Sequence, residues 1–403
     1  MRKADRIMSD ISFADEHVAA RSPSEAAPVP VLFTGDNGAF RRLVTRGALL
    51  ELVTAGFYRF WLATNMRRHL WSSTVIGGDA LEYVGTAREL LFGFFFALAI
   101  LAPVYIAYIV VGIEAERQKA FASLPLGLFF AAFGQFAIYR ARRYRLNRSA
   151  WRGLRFGMGG SGLAYMFRAI GWGLLIALTL GLALPWAEAA LERYKMRNTY
   201  YGALEGGFVG RGGDFFKRAG WIWFTALILL LSPYVIGAVF RGPIWILAGV
   251  IYVIGAPALF AAFKAEQWRW WLHGLRLGGV RLETRLTMSA LLGNYFAFFG
   301  VLIGVLIAAA IAFGIIVAMN RSAMVGTTPP IGALIPIGLA YVATFLSIGV
   351  ASRIFLMQRV WKLVASSLVV HGLAEAEDVA TRASVTPSAI GEGFADSLDV
   401  VGF

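Results

Sequence analysis

Eight apolar segments divide this chain, near residues 43–62, 90–112, 121–139, 163–187, 219–240, 243–263, 290–319 and 331–356. Each approaches or exceeds the ~20 residues a helix needs to cross the ~30 Å hydrocarbon layer. In hydrocarbon, backbone N–H and C=O groups must be satisfied within the segment itself, which selects helices. The expectation is an all-α polytopic membrane protein of about six to eight apolar helices, with boundaries good to a few residues. Composition agrees. Of 403 residues, 58% are hydrophobic and only 15% charged, against ~25% charged for a soluble domain.

The net charge is +14. In a soluble protein that would point to nucleic acid. Here the basic residues cluster beside apolar segments, as the positive-inside bias produces, so nucleic acid is set aside. Anionic lipid headgroups are the expected partner, at ~1 kcal/mol per Lys or Arg near the surface. The absence of cysteine removes disulfide, thiolate and Cys-based metal chemistry. Residues 1–32 have no apolar core, are not a cleavable signal peptide, and read as a disordered tail. Residues 373–403 read as a second, acidic disordered tail, because from Ala374 onward there are six acids and one Arg. The membrane domain is then 33–372.

The linkers recur. At a shift of 125 residues, Thr54 falls on Thr179, Gly56 on Gly181, Trp61 on Trp186, Thr74 on Thr199, and Val84-Gly85 on Val209-Gly210. A weaker pair sets Gly153-Leu154-Arg155 on Gly274-Leu275-Arg276. Each piece follows an Arg-bearing helix end: Arg67-Arg68, Arg142-Arg143, Arg193 and Arg269. The unit is a helix, a basic collar and a short glycine-broken hairpin. Arg at such an end snorkels to the headgroups, and a hairpin such as TVIGGDALEYVGT, turning at Gly77-Gly78, belongs in water. The four linkers are expected to pack as a small cytoplasmic β-like layer.

These residues carry a resemblance. Gly56, Trp61, Arg67-Arg68, Thr74, Tyr83-Val84-Gly85, their second copy LTLGLALPW…RY…NT…FVG, and RYRLNRSAWRGLRF resemble the YjgN-like family of bacterial inner-membrane proteins, over roughly 31–372. The resemblance implies a multi-pass inner-membrane protein. It supplies no catalytic residues, because the family is defined as a domain of unknown function.

Arg140–Arg155 holds seven Arg and no acid, so that loop is expected in the cytoplasm together with the C-terminus. The connections near Glu114–Lys119, Arg241 and Arg321 are then expected outside. Segments 43–62 and 163–187 contradict this scheme if they cross, because both flanks of each are basic. They are therefore read as re-entrant or interfacial, the alternative being that both span against the charge bias.

No HExxH, GxSxG or GxxxxGK[ST] pattern occurs, so neither a cofactor nor an enzyme is expected. Three polar residues inside apolar segments are candidates for function: Glu51, Gln135 and Asn294. An unpaired Glu51 at mid-membrane would cost ~3 kcal/mol, so it must find a partner or water. Arg67, Arg68, Arg142, Arg143, Arg145, Arg148, Arg193 and Arg269 form the candidate anionic-lipid collar. Gly300, Gly304, Ala308 and Ala312 make a small-residue stripe suited to close helix packing, within the chain or against a second copy. Two function classes stand on this reading: a transporter or channel for a small solute, and a membrane scaffold that binds anionic lipids or envelope partners.

Overall fold

The computed structural model describes residues 27–117, 123–239, 245–319 and 331–385. Its frame is not helical. Eleven short antiparallel strands form one nearly closed barrel, which overturns the all-α expectation. The strands are β1 (Val29–Pro30), β2 (Leu32–Phe33), β3 (Thr74–Ile76), β4 (Asp79–Tyr83), β5 (Ser149–Trp151), β6 (Leu154–Met158), β7 (Thr199–Tyr201), β8 (Leu204–Phe208), β9 (Leu275–Leu277), β10 (Val280–Thr284) and β11 (Leu368–His371). From β2 to β11 each strand pairs with the next, and β11 pairs with β1. Val31 alone separates β1, which pairs with β11, from β2, which pairs with β3. The four hairpins and their packing into one layer were legible; the eleven-strand, nearly closed sheet was not, because strand-to-strand pairing spans up to 341 residues of sequence, as in Val29 with Val370.

Connections alternate. Four are two-residue turns on one rim of the barrel. At Arg152-Gly153 both residues have positive φ, 48° and 77°, the backbone twist that joins adjacent strands without splaying them. The other five connections are long helical excursions that leave the opposite rim. The first holds α1 (Asn37–Val53) and α2 (Arg59–Ser72), the second α3 (Ala87–Arg117) and α4 (Ser123–Asn147), the third α5 (Gly162–Leu178) and α6 (Leu184–Arg197). The fourth holds α7 (Gly212–Val239) and α8 (Trp245–Gly274). The fifth holds α9 (Met288–Met319), α10 (Ile331–Ser352), a π-helical segment Arg353–Arg359, and α11 (Val360–Ser367).

One hydrogen bond closes the base of every excursion. The N–H of the first residue off the sheet donates to the carbonyl just before the chain rejoins it: Thr34 to Ser73 at 2.9 Å, Val84 to Arg148 at 2.9 Å, Gly159 to Asn198 at 2.8 Å, Val209 to Gly274 at 2.9 Å, and Arg285 to Ser367 at 2.9 Å. At three re-entry points the first strand residue also donates its hydroxyl to the carbonyl four residues back. These are Thr74 to Leu70 at 2.8 Å, Ser149 to Arg145 at 2.7 Å and Thr199 to Lys195 at 2.9 Å. The hydroxyls satisfy carbonyls that a helix end leaves open, which explains the matching Thr74 and Thr199.

Four of the described helical stretches are long and apolar enough to cross a membrane, not six to eight: Ala87–Val111, Gly212–Tyr234, Met288–Met319 and Leu334–Ser367. Segments 43–62 and 163–187 fall short because each is broken. The first turns back at Thr54–Tyr58 and the second at Thr179–Ala183. Ala55-Gly56 and Leu180-Gly181 take positive φ (50° and 90°, 50° and 89°). A 17-residue arm such as α1 or α5 is about 25 Å long, and its partner arm brings the chain back to the neighbouring strand. Both basic flanks therefore lie at the sheet. The tips are apolar and bare: Val53, Leu178 and Leu180 are each more than 80% exposed. The apolar stretches of α4 and α8 run into Arg140–Arg145 and Lys264–Arg269.

Both tails also need correction where they are described. Val29–Pro30 and Leu32–Phe33 are strands of the barrel. Leu373–Val385 forms a helix, α12, because Leu373, Ala376 and Ala380 recur on one face and bury themselves in the barrel. Residues 1–26 and 386–403 lie outside the described residues, as do Lys119, Arg241 and Arg321.

Candidate functional site

The barrel interior is apolar. Trp151, Tyr201, Leu204, Val280 and Val370 come from strands right around the sheet and bury together with Val31, the residue between β1 and β2. Tyr201 donates its hydroxyl to the Trp151 carbonyl at 2.8 Å, and burial pushes its pKa up to about 12, so it is neutral there. Helix α12 crosses the turn rim. Glu375 accepts from the Gly279 N–H at 2.7 Å, and Glu377 pairs with Arg152 at 3.2 Å. The glycines of the turns make room for it, since a Cβ at Gly77 would lie 2.8 Å from Leu373.

Inside this enclosure is a cavity of about 310 Å³. Its walls include Trp151, Phe156, Tyr201, Leu282 and Val370, with Leu373 and Ala376 of α12. At its helix-side rim stand Arg142, Met196, Trp271 and Arg276. The volume lies within the ~300–1,000 Å³ range of small-molecule pockets.

The rim is ionic. Glu192 of α6, 6% exposed, accepts from Arg142 at 3.1 Å and from Lys195. Burial alone would raise its pKa, but Lys195 and Arg142 outweigh burial and hold the carboxyl below its ordinary value. Arg142 also reaches the Met196 sulfur at 3.3 Å. The Trp271 indole N–H lies near the same carboxylate and is buried with no acceptor in hydrogen-bonding geometry. Glu188, one turn before Glu192, is pushed up by burial.

The collar is mostly engaged with the protein. Arg67 donates to the Tyr83 hydroxyl at 3.0 Å, Arg148 pairs with Glu89 at 3.1 Å, and Arg269 with Glu266 at 3.0 Å. Arg68 and Arg193, 125 positions apart, donate to the carbonyls of Gly85 and Gly210, also 125 apart, at 3.1 and 3.2 Å. Arg145 stands near Arg67 and Arg142, and Arg143 near Tyr139.

The three polar candidates from the apolar segments separate. Glu51 has the partner its position demands: Arg353 donates to both its oxygens, at 2.7 and 3.0 Å. Asn294 is buried and donates at 2.9 Å to the carbonyl of Phe355, within the π-helical segment. Gln135 is half-buried on α4 and joins neither group. Gly300, Gly304 and Ala308 are exposed, with Ala312 half-buried; a Cβ at Gly300 or Gly304 would meet nothing within 4 Å. Sequence reasoning missed Glu192, Trp271 and Arg353. The Glu188, Glu192, Lys195 spacing on one helix face was the available signal for the first.

Residues 28–397 match the family described as "Bacterial protein of unknown function (DUF898)". The chain belongs to this family. It is the family of the YjgN-like resemblance, and the match runs through both end strands and α12. No curated protein and no solved structure matches the chain.

Proposed function

We propose that this DUF898 protein is a multi-pass protein of the bacterial inner membrane whose barrel takes up the hydrocarbon part of an amphipathic ligand, without performing chemistry on it. The cavity inside the barrel carries this reading. Its walls are apolar and its volume is that of a small-molecule pocket. An acyl or polyprenyl chain would pack against those walls, and the rim cations would hold an anionic head. The Arg-rich barrel then lies in the cytoplasm under the positive-inside bias, with the C-terminus on the same side. The two broken hairpins dip into the inner leaflet and return. Their matching breaks and shared offset of 125 support an internal repeat.

A photoreactive diazirine fatty acid, added to protein in nanodiscs and mapped by peptide mass spectrometry, tests the reading. Adducts are expected at Trp151, Tyr201 and Leu277, and are lost in Ala376→Trp, which fills the cavity. Adducts confined to α3, α7, α9 and α10 in both proteins refute it. Sidedness is read from Arg155→Cys and Ala203→Cys, which flank the second hairpin. Neither should react with an impermeant maleimide until cells are lysed.

A transporter or channel for a small solute is the second reading. The broken hairpins favour it, because non-helical backbone at membrane depth belongs beside protein or a water-filled path. Solute counterflow in liposomes that falls on Glu51→Gln would support it over the first.

A further inference from the structure

A second cavity lies outside the barrel, where the head of α1 meets the start of α9 and the π-helical segment. It measures about 420 Å³ and is lined by Asn37, Arg41, Asn294, Gln358, Arg359 and Lys362. Its chemistry is the reverse of the barrel's. Three cations surround it, and none has a carboxylate partner among the described residues. The carboxylate at the head of α1, Asp36, is already committed to the Gly38 and Ala39 N–H groups and to Arg42. Glu51 is committed to Arg353.

The polar groups here are built in. Gln358 is 2% exposed and donates to the Asn37 side chain at 3.2 Å. Asn294 donates to Phe355 O, a carbonyl within the π-helical segment. The π-helix widens the turn over Arg353–Arg359, a distortion that recurs at functional sites. The Arg359 guanidinium is fixed over the Phe355 ring at 4.1 Å. Three like charges around one cavity repel unless an anion sits between them, and guanidiniums match the oxygens of a phosphoryl group.

We infer that Arg41, Arg359 and Lys362, with Asn294 and Gln358 behind them, form a binding site for a phosphate-bearing anion at the membrane-side rim. The site is independent of the barrel cavity and stands if that cavity proves empty. The phosphoryl group could belong to a phospholipid head or to free phosphate. Native mass spectrometry of the full chain, with phosphatidylglycerol against phosphatidylcholine, reads the first source. Thermal stabilisation by inorganic phosphate reads the second.

In the triple variant Arg41→Gln, Arg359→Gln, Lys362→Gln, binding is expected to weaken about 100-fold. Arg42→Gln, which removes a neighbouring cation already held by Asp36, should bind as the wild type does. Selective retention of phosphatidylglycerol, lost in the triple variant, assigns a lipid head. Stabilisation by phosphate with no lipid preference, also lost in the variant, assigns free phosphate. If the triple variant does not fold, Lys362→Gln alone, at an exposed position, should weaken binding about 5-fold. Variants that bind both probes as well as the wild type overturn the site.

Discussion

Replacing Glu192 with Leu should expose how much the ionic rim of the barrel depends on one carboxylate. Glu192 is buried among Arg142, Lys195 and Trp271, and the Arg142 and Lys195 side chains retain only 20% and 12% of their exposure. Removing the anion leaves two largely desolvated cations facing each other. Breaking a buried pair by removing one partner costs ~3–5 kcal/mol, whereas replacing the whole pair with apolar residues is often near neutral. The single variant Glu192→Leu should therefore lose about 3–5 kcal/mol. The triple replacement Glu192→Leu, Arg142→Met, Lys195→Met should recover most of it. Unfolding of the purified protein by denaturant titration, followed by near-ultraviolet circular dichroism, reads both values. The sign of the pH dependence follows from the depressed carboxyl. Its contribution is full above the ordinary Glu value and is lost as pH falls through the folded value. A single variant that costs under about 1 kcal/mol would refute the claim that these cations are held in a low-dielectric site.

Glu188 carries the opposite sign. Its raised pKa makes the charged form unfavourable in the fold, so Glu188→Gln should stabilise at pH 7 and have no effect in acid, where both forms are neutral; a stability–pH profile checks this. Gly206→Ala would set a Cβ 2.4 Å from the Met196 carbonyl oxygen, which is backbone and cannot swing aside. A loss of about 3 kcal/mol is expected. Gly56→Ala meets nothing within 4 Å, so only its positive φ is strained, at about 1–2 kcal/mol. The contrast between these two midpoints is the test. Glu51→Gln should cost about 2 kcal/mol through the weakened bond to Arg353, and Arg353→Gln should cost little more in that background; additive losses in the double-mutant cycle would disprove the pairing.

The sequence by itself determined whatever short-range chemistry decides. Apolar runs of membrane length forced helices, a glycine between short alternating runs marked each turn, and a charge inside RGALLELVTAGFYRFW demanded a partner. Basic residues on both flanks of 43–62 and 163–187 favoured a re-entrant or interfacial placement over a crossing; that each segment is broken into two arms at a glycine with positive φ came from the structure. The barrel was decided only in three dimensions. Each hairpin buries too little to be stable alone. It becomes part of a core only when the helical excursions bring distant strands together, and no local pattern records that pairing. The C-terminal helix is likewise a product of the tertiary structure. Its composition is acidic and small, and it orders because the open end of the barrel offers Leu373, Ala376 and Ala380 a place to bury. Glu51 announced that it needed a partner, but Arg353 lies 302 residues away. The two cavities are likewise tertiary, because their walls come from elements that meet only after the sheet has closed.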